Sequence, residues 1–573
     1  MIEPKYQTLN GLFSDRVFRI PKYQRFYSWE SKQREDLFAD LSELEEKGED
    51  RHHFMATIVC FRTPDVTSVG SIEYRTYDIV DGQQRLTTLI LIMKAIQMRL
   101  EEGDDEKAGI SKILVKGDGN LLLLQTNNTN QRLLNDYLKN GKHPGKDQVK
   151  TYADRNLRRA VQDCEQFVRE WHDENGNVMG LLRLIRNRLG FVVYDTDDNR
   201  IVYSVFEVLN SRGLAVDWLD KSKSALMGRA FELSKSADAG AAKIEELHAL
   251  WGKTYERLAM EQVPGQEVLR VAATIRLGDE AGKPLKAETA LKKFREYCDD
   301  PEKAVTASTW LYDAADKLVH LRKNRYWEPV VGILQARVLA VALMLTRSLT
   351  DAEREKALDQ WQRVTFRIYG LYGKDSRFKV GDYVRFAKNV MNGAEGAARY
   401  SEIMKSLREL GKDYPIDGAV KEGLENANCY EDADETRYIL WNYEEHLAKS
   451  ACVEINKEIR EQVWQERSAS DTIEHIFPQS PEPGGAWDGK LRKHQRIESH
   501  VHRIGNLILL PQPLNEEARR QGFAEKKNIY AKSEGLRMVK EIMSEKDWRQ
   551  QEIEQREQKI IEWAKAAWAD LPD

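Results

Sequence analysis

Two adjacent residues near the end of the chain, Glu474 and His475, have side chains able to do acid–base and metal chemistry. They stand in "DTIEHIFPQS" (471–480), between the apolar Ile473 and Ile476, and Pro478 stops the segment. An imidazole titrates near neutral pH and is the usual general base there. A carboxylate oxygen suits a hard cation such as Mg²⁺ or Mn²⁺. Two amides follow in "HRIGNLILLPQPLN" (502–515): Asn506 and Asn515. A base for water, together with oxygen ligands for a divalent cation, is what metal-assisted hydrolysis of a phosphodiester requires. Asp471, His494, His500 and His502 are spare candidates in the same stretch.

These residues need elements to position them. Ile473 and Ile476 bracket a strand over 472–476, "NLILL" (506–510) is a second strand ended by Pro511, and a helix starts near Asn515. That is a small ββα unit with its polar residues at the element ends. Neighbouring strand residues point to opposite faces, so Glu474 and His475 serve one site only if the strand ends or kinks beside Pro478.

A second constellation lies near the start. "RTYDIV" (75–80) is a strand, Asp81-Gly82 a turn, and Leu86, Leu89, Ile90, Met93 and Ile96 mark a helix running to about Leu100. A first helical turn offers free N–H groups and a positive dipole end, which together form an anion site. Gln83, Gln84 and Arg85 add donors there, Arg85 as a fork for phosphate. Asp81 could hold a cation or orient water. A plain turn with a polar helix cap is the alternative. "FRIPKYQRFYSW" (18–29) places Tyr23, Gln24, Arg25, Tyr27 and Trp29 together, and "FEVLNSRGL" (206–214) adds Arg212. The aromatic residues could stack on a base or form a small aromatic core. Two phosphate-loop look-alikes fail: "GKT" (252–254) has Leu247 where the first glycine belongs, and "GKDS" (373–376) has Asp375 in place of Ser or Thr.

The chain has 573 residues, enough for about two to four domains. Charged residues are 32% and the net charge is −5, so the whole is no basic nucleic-acid coat, although 490–532 is locally rich in Lys and Arg. No run of about 18 uncharged apolar residues exists, so no membrane partner is expected. The N-terminus lacks the pattern of a secretory signal. Five scattered cysteines with no C-x-x-C pair point to a reducing, cytoplasmic compartment. Residues 220–460 read as almost wholly helical, with breaks at Pro264-Gly265 and in "KDYPIDG" (412–418).

With these motifs in order, the chain resembles the GmrSD-type, modification-dependent (type IV) restriction endonucleases of prokaryotes. "IEHIFPQS", "HRIGNLILLPQPLN" and "FAEKKNIY" resemble the HNH (ββα-metal) nuclease half, over roughly 430–570. "P-x-Y-Q-R-x-Y-x-W", "D-G-Q-Q-R" and "FEVLNSRGL" resemble the other half, over roughly 8–225. The resemblance implies an α+β, multidomain chain: a ParB/sulfiredoxin-like domain (1–225), a helical connector (226–430) and an HNH nuclease domain (431–573). It implies His475 as general base, Glu474 and Asn515 at the metal, and Asn506 orienting the base or the backbone. Lys526 would contact phosphate, with Lys527 as the near alternative. It further implies a nucleoside-triphosphate site at Asp81, Gly82, Gln83, Gln84 and Arg85, completed by Arg25 and Arg212, with Tyr23, Gln24, Tyr27 and Trp29 sensing DNA. Here Asn515 stands where the plain H-N-H pattern has its second His. The implied partner is double-stranded DNA, in particular modified phage DNA. The identity of the triphosphate (GTP, UTP, CTP or ATP) and a homo-oligomeric state stay open. The rival reading is a nucleotide-switched DNA-binding regulator whose HNH unit does not cut.

Overall fold

The computed structural model describes residues 4–21, 24–46, 53–116, 121–126, 131–197, 217–278, 282–323, 328–393, 399–455, 457–465, 468–491, 498–533 and 535–572. The protein is mixed α/β and multidomain. It divides into two compact units, one of Met1–Ala273 with Lys286–Val319, the other of Thr274–Leu285 with His320–Asp573.

The first unit is built on a six-stranded mixed sheet. Its strands are β1 (Lys5–Thr8), β2 (Arg16–Ile20), β3 (His53–Val69), β4 (Ile72–Asp81), β5 (Leu124–Thr126) and β6 (Leu189–Thr196), in the spatial order β1-β6-β3-β4-β2-β5. β3 and β4 form an antiparallel hairpin, whereas β2 runs parallel to both β4 and β5, and β3 runs parallel to β6. β2 stops where Pro21, which has no N–H to donate, follows it. Arg19 fixes the β2–β4 register with two bonds to the Asp78 carboxylate, of 2.5 and 3.0 Å.

Helices α1 (Ser31–Glu46), α2 (Gln83–Arg99) and α3 (Tyr152–Asn175) pack with this sheet. Helix α2 is buried from Leu86 to Gln97, so it is the centre of the core and not an amphipathic surface helix. Burying Leu86, Leu89, Ile90, Met93 and Ile96 contributes roughly 1.5–3 kcal/mol each. Helices α4 (Trp218–Glu232) and α5 (Ala237–Leu258) follow. Thr254 of the "GKT" look-alike lies inside α5, its hydroxyl donating to the Leu250 carbonyl, which is helix and not a phosphate loop.

The second unit is almost entirely helical, with chain breaks between helices at 412–415, as "KDYPIDG" suggests. Its small sheet pairs β7 (Ile473–His475) antiparallel with β8 (Leu507–Leu509), placing His475 opposite Leu507 and Glu474 opposite Ile508. Helices α6 (Gln512–Ala518), α7 (Phe523–Tyr530) and the closing α8 (Gln550–Trp568) surround it. Gly505 lies against α8 so closely that an added Cβ would stand 2.1 Å from the Ile553 carbonyl oxygen. Arg556 of α8 donates to the carbonyls of Ile504, Gly505 and Leu507, and buried Glu557 pairs with Arg503, so the closing helix fixes the entry to β8. No helix among the described residues is long and apolar enough to cross a membrane.

Candidate active site and nucleotide site

The ββα unit carries His475, Glu474, Asn506 and Asn515 but gives their side chains different surroundings. Asn506 is fully buried and uses its whole side chain. Its Oδ1 accepts from the Phe477 N–H at 2.8 Å and from the Trp548 indole at 3.0 Å. Its Nδ2 donates to the Phe477 and Val501 carbonyls at 2.9 and 2.8 Å. It thereby holds the backbone just beyond His475, at the point where β7 gives way to Pro478.

His475 is 4% exposed. Its Nε2 lies 3.1 Å from His502 Nδ1 and its Nδ1 lies 3.0 Å from Gln479 Nε2. Tyr430 sets its ring edge-on to His475, with centroids 4.5 Å apart, and stacks on His502 at 5.5 Å. Burial pushes the His475 imidazolium down to about 3, helped by His502 and Lys526. The ring is therefore neutral at physiological pH.

Glu474 faces away from His475, as strand alternation requires. Its Oε1 accepts from Lys526 Nζ at 2.6 Å and from the Tyr530 hydroxyl at 2.8 Å, both on α7. Lys526 Nζ also donates to the His475 carbonyl at 2.6 Å. Burial raises the Glu474 carboxyl against the pull of Lys526 and lowers the Lys526 ammonium against the pull of Glu474. The sequence sends Lys526 to a phosphate, but the structure buries it completely as the counter-ion of Glu474. Lys527, the alternative, donates to the Glu545 carbonyl. Part of the basic stretch around this unit is paired: Lys490 bonds Asp547, Arg503 bonds Glu557 and, at the surface, Lys532 bonds Glu517. Arg519 and Arg520 stay exposed, and Arg492, Lys493, His494 and Arg496 lie outside the described residues.

Mg²⁺ and Mn²⁺ take hard oxygen ligands, keep several waters and need few protein groups. By that measure Asn515 fits in kind, whereas Glu474, 3% exposed with Lys526 and Tyr530 on its carboxylate and turned away from His475, does not present an oxygen to a cation beside that ring. Asn515 spends its Nδ2 on the Asp471 and Ile473 carbonyls, at 2.8 and 3.3 Å, which leaves its Oδ1 as acceptor. No cluster of three or more His, Cys, Asp or Glu side chains suited to a metal occurs among the described residues. The fit thus rests on the Asn515 amide oxygen, with water and phosphate as the remaining ligands.

In the first unit, Asp81 ends β4 and Gly82 begins α2 with φ +93°, a left-handed conformation that glycine adopts without strain. No side chain caps this helix end. Gln83 and Gln84 are not open donors. Gln83 Nε2 bonds the Arg25 carbonyl at 3.0 Å, Gln84 Nε2 bonds the Phe26 carbonyl at 3.0 Å, and Gln84 Oε1 accepts from the Ser28 N–H at 2.9 Å. The two glutamines clip the 25–28 segment to α2. Gln24 is buried with its amide on the Val80 carbonyl, the Tyr27 hydroxyl bonds Thr88 at 2.9 Å, and Trp29 packs against the core. Each of these three has a packing or hydrogen-bonding role within the unit. Tyr23 and Arg212 lie outside the described residues.

Sequence reasoning missed three groups that complete this site. Asp217 caps α4 through the Leu219 N–H, Asp220 lies 3.6 Å from Arg25 Nε, and Lys223 follows one turn on. Tyr255 of α5 donates its hydroxyl to Asp220. Burial raises the Asp81 and Asp217 carboxyls. Burial also pushes the Lys223 ammonium down to about 8, against the pull of Asp220. Burial works against the charge on Arg25, but Asp220, Asp217 and Asp81 outweigh it and hold its pKa above the ordinary value. About a third of the Arg25 side chain (36%) is open to solvent, so a cation backed by carboxylates faces outward beside the uncapped helix end. The 217, 220, 223 spacing on one helix face was the available signal.

Comparison with known families matches the GmrSD restriction endonuclease N-terminal domain to residues 9–227 and the GmrSD restriction endonuclease C-terminal domain to residues 414–563. The chain belongs to the GmrSD restriction endonuclease family. It is accordingly a restriction nuclease of defence, with DNA as substrate. No curated protein matches the chain.

Proposed function

We propose that the chain is a divalent-metal-dependent HNH endonuclease that cuts modified double-stranded DNA under control of a nucleoside triphosphate bound in the first unit. The observation that carries the nuclease half is the buried His475, held at the end of β7 by the Asn506 backbone clamp. His475 takes a proton from water, the electron pair of that O–H bond stays on oxygen, and a new bond forms to phosphorus. The bond from phosphorus to the leaving oxygen breaks, and that oxygen takes a proton from solvent. A cation with Asn515 Oδ1 and water among its ligands would supply charge stabilisation at the scissile phosphate. The nucleotide half is supported by the uncapped N-terminus of α2, with Arg85 in its first turn, and by Arg25 and Lys223 beside Asp81 and Asp220. The mixed six-stranded sheet that carries this site is in keeping with a ParB/sulfiredoxin-like fold.

The test is a cleavage assay with Mg²⁺, Mn²⁺ or neither, with and without each triphosphate, on unmodified plasmid and modified phage DNA. His475→Ala is the control. Cutting that requires His475 and metal, prefers modified DNA and changes with one triphosphate is expected. DNA binding and triphosphate turnover without any cutting would overturn the reading.

A further inference from the structure

His475 has no open ring nitrogen. One nitrogen faces His502 and the other faces Gln479. The two neighbours differ in kind. Gln479 is an exposed side chain, so its amide can swing away, whereas His502 is held. The His502 carbonyl accepts from the Cys429 N–H at 3.0 Å, and its ring stacks on Tyr430, which also contacts His475 edge-on. Four residues later Asn506 clamps the backbone beyond His475. The His502 ring is therefore fixed at both its backbone and its face.

We propose that His502 is a positioning residue for the nuclease reaction, setting the tautomer of His475 by accepting the Nε2–H of His475 at its own Nδ1. This inference rests on the nuclease reading given above. In this structure the Gln479 amide nitrogen donates to His475 Nδ1, which puts the proton of the neutral ring on Nε2. That exposed amide can turn over and present its oxygen instead, so the fixed His502 is the group that keeps the proton there. The Nε2–H then points at His502 Nδ1, 3.1 Å away. His475 Nδ1 is thereby the nitrogen that receives the proton of the attacking water once Gln479 moves off it. His502 stands to His475 as the orienting group stands to the base in a hydrolytic triad, and like that group it need not touch the substrate. Gln479 covers the reactive nitrogen on the solvent side until DNA displaces it.

The test uses the full-length protein and two readouts. In cleavage kinetics on a DNA substrate that the wild type cuts, His502→Ala lowers kcat by about tenfold or more and leaves KM for DNA unchanged. His502→Asn, whose Oδ1 takes the place of Nδ1, restores most of that loss. In parallel, nitrogen NMR of ¹⁵N-histidine-labelled protein reads the His475 tautomer directly, with His475→Gln assigning its signals among the 11 histidines. The expected result is an Nε2-protonated ring in wild type and His502→Asn, and a mixed tautomer in His502→Ala. An Nδ1-protonated His475 in the wild type overturns the proposal, as does an unchanged kcat and tautomer in His502→Ala. If the wild type cuts no DNA, the nuclease reading falls, while the NMR spectrum still decides whether His502 sets the tautomer.

Discussion

Lys526 Nζ stands 2.6 Å from Glu474 Oε1, and the two side chains are 0% and 3% exposed. The pair joins α7 to β7, and the second bond from Lys526, to the His475 carbonyl, ties the same helix to His475. Each charge is tolerable in the interior only because the other is there.

Truncating one partner therefore costs more than replacing both. Lys526→Ala leaves a buried carboxylate unpaired and is expected to lower stability by about 3–5 kcal/mol. Lys526→Met combined with Glu474→Gln removes both charges and is expected to cost clearly less. Urea unfolding of the wild type, the single and the double variant checks this. Equal losses in the two variants would show that the pair does not act as a unit.

The clip between α2 and the 25–28 segment gives a second prediction. Gln84 is buried and makes bonds in both directions, to the Phe26 carbonyl and from the Ser28 N–H. Gln84→Ala leaves both backbone groups unpaired and is expected to cost about 1–3 kcal/mol, concentrated in this segment. Limited proteolysis should cut between Pro21 and Glu30 sooner in the variant, and triphosphate affinity should fall because Arg25 is no longer held in place. Wild-type cutting rates and affinity together would remove the clip from the account.

The strand, turn and helix from 75 to 99 were legible because three local signals agree: an apolar run, an Asp-Gly turn and a 3.6-residue period. The two short strands at 473–475 and 507–509 fall inside the stretches bounded by Pro478 and Pro511. What local signals could not show is which charges meet across long separations. Lys526 and Glu474 are 52 residues apart, so nothing local tells that this lysine turns inward. Gln83 and Gln84 look like open donors in a helical first turn, and only the path of the 25–28 segment across them shows that their amides are used. Asp220 and Lys223 reach Arg25 because α4 lies beside that segment, a contact spanning 195 residues between Arg25 and Asp220. The separation of Glu474 from His475 is not what the sequence suggests: Pro478 is expected to bend the strand so that both serve one site, but β7 is regular through His475 and alternation parts them.

The third prediction concerns acid. The loop that leaves β7 is fastened to the start of α8 by Lys490, which bonds the Asp547 carboxylate and whose carbonyl accepts from the Gln550 N–H. Burial alone would raise the Asp547 carboxyl, but Lys490, Arg549 and the Trp548 N–H outweigh it and hold it at about 2. The folded value lies below the ordinary carboxylate range, so the unfolded chain takes up this proton first as the pH drops. The stabilisation is fully present above about pH 4 and is lost as the pH falls toward 2. Because the Asp547 side chain is 31% exposed, solvent screening limits its worth to about 1 kcal/mol. Asp547→Asn should accordingly unfold earlier than wild type at pH 7, with the gap closing near pH 2 and narrowing in about 1 M salt. Trp548, next in sequence, donates to Asn506, so loosening this corner also loosens the clamp behind His475. Cleavage by the variant should therefore lose heat resistance in parallel with its stability. Superimposable stability–pH curves for Asp547→Asn and wild type would show that the ion pair contributes nothing to holding the loop.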